Sequence, residues 1–229
     1  MKRLFVIFFA SAITTGANAQ LFYAQGGVNL ANITKNNEGQ TEDNNMLTTF
    51  NAGLMGRFGL SDVVDLESGL LLTGRGSKAE TYFNGGSDYV KSKFNPMYIE
   101  VPLNLILNVK LDPSTKLFFN AGPYAAIGIG GKSKLQTKFG PIETSSEETI
   151  KFNDDDPTTS QQEDAAYNKL KRFDYGVNVG AGFDLGKVIL KANYGLGLAK
   201  INSTESNNSD NDKNKYRTIS VSVGIPLGR

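Results

Sequence analysis

The chain has 229 residues, a formal net charge of +1, and no cysteine, histidine or tryptophan. That composition excludes a disulfide framework and a thiolate metal centre, and it removes the commonest general base and metal ligand. It also gives no bulk attraction to nucleic acid, and the length suits one substantial domain or two small ones.

The N-terminus reads as a targeting segment. A basic start, "MKR", precedes the apolar run "LFVIFFASAI" and the small-residue ending "ANA". This pattern predicts a signal peptide over residues 1–19, cut between Ala19 and Gln20. The apolar run is too short to span a bilayer as a helix. The remainder, residues 20–229, is expected to form one domain.

Strands are expected near 21–33, 47–59, 64–77, 94–109, 116–130, 172–185, 187–201 and 215–227, each from period-two alternation or β-rich composition. On the second, Phe50, Ala52, Leu54, Gly56 and Phe58 alternate with Asn51, Gly53, Met55 and Arg57. On the fourth, "YIEVPLNLILNVK" sets Ile99, Val101, Leu103, Leu105, Leu107 and Val109 against Tyr98, Glu100, Pro102, Asn104, Ile106 and Asn108. The apolar faces carry no charge along the central spans, so lipid rather than water is their solvent. Phe50 and Phe58 are separated by about 20 Å of membrane height, close to an outer-membrane apolar band of about 25 Å.

The connectors alternate in length. "LSDV" (60–63), "KLDPST" (110–115) and the turn at Leu185-Gly186 are short, whereas 34–46, 78–93, 131–171 and 202–214 are long and polar. The expected fold is therefore all-β: an eight-stranded antiparallel up-and-down transmembrane β-barrel, with short periplasmic turns and long extracellular loops. Such a barrel lies in the outer membrane.

An eight-stranded lumen is only wide enough for side chains. The residues opposite the lipid face, notably Arg57, Glu67, Arg75, Glu100, Asp174 and Lys191, are expected to form a structural polar network there. Asp65 and Asp184 share that face. Arg57 is expected opposite Asp65 or Glu67, and Glu100 near Arg75, because a lone buried charge is costly.

Enzymatic motifs are missing. "GIGGKS" (128–133) has Ala126 where a phosphate-binding loop needs its first glycine, and no helical pattern follows. Without histidine no Ser-His-Asp triad can be built. "NDDDP" (153–157) reads as a solvated acidic loop in preference to a calcium site. No cofactor, metal site or catalytic residue is expected.

"YIEVPLNL" resembles the Tyr-Leu-Glu-x-Pro-Leu signature of PorT-like outer-membrane β-barrel proteins. "ESGLLLTGRGSK", "FNAGPYAAIG", "FDYGVNVGAGFDL" and "LKANYGLGLAKI" resemble that family's neighbouring strands in order. The resemblance covers roughly residues 20–229 and implies the barrel fold. In one respect the chain departs from it, ending "IPLGR" where such barrels finish on an aromatic residue. The expected function is a non-enzymatic barrel that binds through loops 34–46, 78–93, 131–171 and 202–214. Its expected partners are outer-membrane lipid and lipopolysaccharide, with another envelope protein as a candidate. The alternative is a transport role, as a narrow channel or as an accessory subunit of a secretion or uptake complex.

Overall fold

The computed structural model describes residues 20–34, 46–153, 169–199, 201 and 215–228. The expected signal peptide lies outside them, as do Asp154 to Asp156, loop 202–214 and most of loop 34–46. Twelve strands follow in chain order: β1 (Gln20–Thr34), β2 (Leu47–Gly59), β3 (Val64–Gly74), β4 (Ser77–Phe83), β5 (Asp88–Lys110), β6 (Lys116–Phe139), β7 (Ile142–Thr149), β8 (Lys151–Asn153), β9 (Lys169–Lys171), β10 (Phe173–Asp184), β11 (Ile189–Gly197) and β12 (Lys215–Pro226). There is no α-helix among the described residues.

Eight of these strands, β1, β2, β3, β5, β6, β10, β11 and β12, pair antiparallel in a ring. The ring closes where β1 meets β12, from Tyr23 opposite Pro226 to Thr34 opposite Lys215. The fold is the eight-stranded up-and-down outer-membrane barrel. Closure leaves no unpaired strand edge in the membrane, where a bare backbone amide would have no partner.

Outward positions carry the apolar residues. Leu103, Leu105, Leu107, Phe119, Val179 and Val221 are all exposed on this surface. Phe22, Phe58, Phe119 and Phe183 stand toward the turn end, and Phe50, Phe173 and Tyr175 toward the other, as an aromatic girdle requires. The three turns are tight: Leu60, Leu111 and Leu185 N–H donate to the carbonyls of Val64, Thr115 and Val188 at 2.8, 3.0 and 2.9 Å. In the second of them the Asp112 carboxylate accepts from Ser114 and Thr115 N–H, both at 2.8 Å.

Two of the four long connectors are not loops. Residues 78–93 form most of the hairpin β4–β5, and residues 131–149 continue β6 and turn back as β7. β5 and β6 stay paired from Lys110–Lys116 at the turn to Tyr89–Lys138 far above. β4 and β7 flank them, giving a four-stranded wall beyond the barrel. The expected strand 64–77 breaks at Arg75-Gly76, where Gly76 has a φ of +129°. A side chain there would also collide with the carbonyl of Phe94. The break lets Arg75 N–H donate to the Pro96 carbonyl at 2.9 Å and begins β4 as a separate strand.

Candidate functional site

The lumen is the first candidate. Lumen-facing parity brings all six sequence-derived polar residues into it, and it sorts them into two clusters. Nearer the turns, Arg57 stands directly opposite Glu67 across β2 and β3. Arg57 Nε donates to Glu67 Oε2 at 2.9 Å, and the Lys191 ammonium binds Glu67 Oε1. Tyr23 hydroxyl and Asn104 Nδ2 complete the carboxylate's shell at 2.7 and 3.1 Å. Nearer the loops, the Arg75 guanidinium binds both Glu100 and Asp174. Tyr124 hydroxyl donates to Asp174 at 3.1 Å, and Asn178 Nδ2 donates to Glu100 at 3.1 Å.

The charges balance between clusters. The first holds two cations and one anion, the second one cation and two anions. Every charged member of both is buried. Rings supply further compensation: Arg57 lies 4.1 Å above the Phe118 ring and Arg75 4.5 Å above that of Tyr124. Glycines make room for these rings. A β-carbon at Gly176 would stand 2.7 Å from the Tyr124 ring, and one at Gly224 would stand 2.7 Å from that of Tyr23. Asp65 and Asp184 join neither ion-pair cluster. Asp65 accepts from Asn108 at 2.8 Å and Asp184 from Gly186 N–H at 2.9 Å, both at the turn-side rim.

Between the clusters lies an amide-rich layer. Gln25 donates to Asn51 at 3.2 Å, Asn51 to Asn29 at 2.6 Å, and Asn29 to Thr73 at 2.9 Å. This layer borders a cavity of about 50 Å³ that Arg75, Glu100 and Lys191 also line. At roughly 10–15 Å³ per water, the cavity has room for a small water cluster.

Both ends of the lumen are packed. On the turn side Tyr23, Met55, Leu71, Ile106, Phe118 and Ile189 form one apolar cluster. On the loop side Tyr98, Tyr124, Ala126, Ile150, Leu170, Ile201 and Tyr216 form another, with Phe152 packed against it. β8 and β9 supply part of this upper plug, and the Tyr98 and Tyr216 hydroxyls meet at 3.2 Å. The aromatic and amide partners of the charges were visible in the sequence as lumen-parity residues, but their contacts depend on register.

The second candidate is the wall β4–β7. β5 keeps its odd outward positions from barrel to wall, whereas the bulge opposite Met97/Tyr98 takes up one extra residue on β6, Ile129, and moves that strand's outward positions from odd to even. Outward positions run Lys78, Glu80 and Tyr82 on β4; Tyr89, Lys91 and Lys93 on β5; Lys132, Lys134, Gln136 and Lys138 on β6; and Glu143 and Glu147 on β7. Lys132 binds Glu147 at 2.6 Å, and the Lys91 ammonium stands 4.4 Å from the Tyr89 ring. The sequence reading missed this wall. Its signal was the alternation of "YVKSK" and "KSKLQTK". Among the described residues no group of three or more carboxylates could hold a metal ion.

A family model described as "outer membrane protein beta-barrel domain" matches residues 18–203. No curated protein matches the chain. Among solved structures, the chain is similar to Ail, the attachment invasion locus protein of Yersinia pestis, in complex with the heparin analogue sucrose octasulfate. Identity is 13%, coverage is 91% of this chain and 99% of that one, and the TM-score is 0.43. Neisserial surface protein A is similar at 12% identity, over 90% of this chain and 97% of that one, with a TM-score of 0.42. The outer membrane enzyme PagL is similar at 11% identity, over 91% of this chain and all of that one (100%), with a TM-score of 0.40.

Proposed function

Since the chain belongs to the outer membrane protein beta-barrel domain family, we propose that it is a non-enzymatic binding barrel of the outer membrane, working through its extracellular surface. One contrast carries the reading. The lumen is plugged at both ends around ion-paired clusters, while β4–β7 project beyond the apolar band as an ordered, two-faced wall. Unlike a lumen filled by packed side chains, an exposed wall can meet a partner without rearranging the fold. The absence of histidine supports the non-enzymatic reading. The wall's partners are outer-leaflet lipid, including lipopolysaccharide, or another envelope protein.

The finer assignment to PorT-like barrels rests on "YIEVPLNL" and the four neighbouring stretches. Export through cleavage between Ala19 and Gln20 rests on the N-terminal pattern. A photo-crosslinking residue at Thr144, on exposed β7, tests the binding reading against one at Ser114, in a periplasmic turn. Irradiated outer membranes should give discrete adducts from position 144 and none from position 114. Adducts confined to position 114 would overturn the reading.

A further inference from the structure

All six lysines of the wall face outward. Cross-strand register places Lys78 directly opposite Lys93, and Lys93 directly opposite Lys134, with Glu147 next in the row. Like charges directly opposite on neighbouring strands repel and destabilise a sheet. The row therefore sets three cations side by side across three strands, with one carboxylate at its edge. That carboxylate already binds Lys132. The same face has Glu80, which Lys78 approaches at 3.4 Å, and Glu143, which accepts from the Tyr89 hydroxyl at 3.0 Å. Lysines thus outnumber carboxylates on it, and Lys93 is exposed. The opposite face of the same strands carries Ala79, Thr81, Phe83, Val90, Ser92, Leu135, Thr137 and Phe139 and no lysine.

The basic face continues the lipid-facing surface. On β5 it follows Ile99 through Met97 and Asn95 to Lys93, and on β6 it follows Ile129 to Lys132. At about 2.5 Å of height per residue, Lys132, opposite Asn95, stands about 5 Å and Lys93 about 10 Å above Met97, the last apolar outward side chain. A leaflet's headgroup layer is about 5–8 Å deep. Lys132 is therefore at headgroup height. Lysine stems let the ammoniums of the row reach down to the same layer while their stems lie along the wall. Tyr82 and Tyr89, two outward rows higher, add amphipathic rings.

We propose that this face, Lys78, Lys93 and Lys134 with Lys132 beneath, binds the phosphate-bearing headgroup of an outer-leaflet lipid. The bound phosphate supplies the counter-charge that the lysine row lacks. The proposal rests on the extracellular-surface reading above and gives one of its ligands.

The full-length mature barrel, refolded in phosphatidylcholine vesicles containing phosphatidic acid, provides the test. Native mass spectrometry would read co-purified phosphatidic acid against phosphatidylcholine. Enrichment of phosphatidic acid over its bulk ratio is expected. Each interfacial lysine contributes roughly a fivefold preference, so Lys93→Gln with Lys134→Gln should reduce the enrichment by about tenfold or more. Lys93→Arg with Lys134→Arg, which keeps the charge, should preserve it and controls for folding. Equal enrichment in wild type and the glutamine variant would overturn the site. So would equal displacement of phosphatidic acid by soluble inorganic phosphate or by a soluble sulfated saccharide at matched charge, because the ligand would then be a free anion. If the site fails while position 144 still gives adducts in outer membranes, the extracellular-surface reading survives alone.

Discussion

Arg75 joins two carboxylates, Glu100 and Asp174, through one guanidinium. The three side chains are therefore unequal in what their removal leaves behind. Glu100→Leu leaves Arg75 with Asp174, whereas Arg75→Leu strands two buried anions. Breaking a buried pair typically costs about 3–5 kcal/mol. Glu100→Leu should fall at the low end of that range and Arg75→Leu at or above its top, read as the midpoint of heat modification of the refolded barrel in SDS. Glu100→Gln should cost less than Glu100→Leu, since it can still accept from Asn178 or Arg75. The double variant Arg75→Leu with Glu100→Leu should recover only part of the loss, because Asp174 remains without its cation. Adding Asp174→Asn should recover more. Equal midpoints for both single leucine variants would contradict the bridging role of Arg75.

At the scale of elements, the barrel strands were legible because lipid enforces a sharp contrast. Residues such as Leu103 and Asn104 face solvents of opposite kind, so parity is written along the whole span. The Arg57–Glu67 pair followed from a short turn, which left Asp65 and Glu67 as the alternatives; register then selected Glu67. The wall was not legible in the same way. Above the apolar band neither face meets lipid tails, so Lys91, Ser92 and Lys93 alternate without the barrel's sharp hydrophobic contrast. Its turns were nonetheless marked. "NGG" gives the β4–β5 turn, with Asn84 and Gly85 at φ of +48° and +67°, and Gly140 at +57° turns β6 into β7. The plug strands β8 and β9 are too short to leave a period.

These two turns are tied together. Asp88 accepts a hydrogen bond from Gly140 N–H at 2.7 Å. That bond, with a second from Asn84, holds the Asp88 carboxyl below its ordinary range. A depressed folded pKa means the contact stabilises the wall tip above the unfolded pKa and is lost as pH falls through the folded value. Hydrogen exchange at the Gly140 amide should therefore remain protected at neutral pH and through the ordinary aspartate range, and lose protection below it. Asp88→Asn should abolish that acid-dependent loss. An unchanged pH profile in the variant would show that another group governs the tip.

The whole molecule separates stability from contact with the surroundings. Lumen charges neutralise one another across two clusters, apolar layers close both ends, and the outward belt matches the bilayer. The wall adds nothing to closure and, among the described residues, carries the lysine-rich outward face. A channel would need the opposite arrangement, with unpaired charges lining continuous water. Single-channel recording on the refolded barrel, residues 20–229, in planar bilayers tests this most directly. The plugged lumen predicts a flat current at moderate voltage for the wild-type protein, with openings appearing only when the Arg75 cluster and the Tyr98–Tyr216 contact are removed together. Discrete, reproducible conductance steps from the wild-type barrel would contradict it.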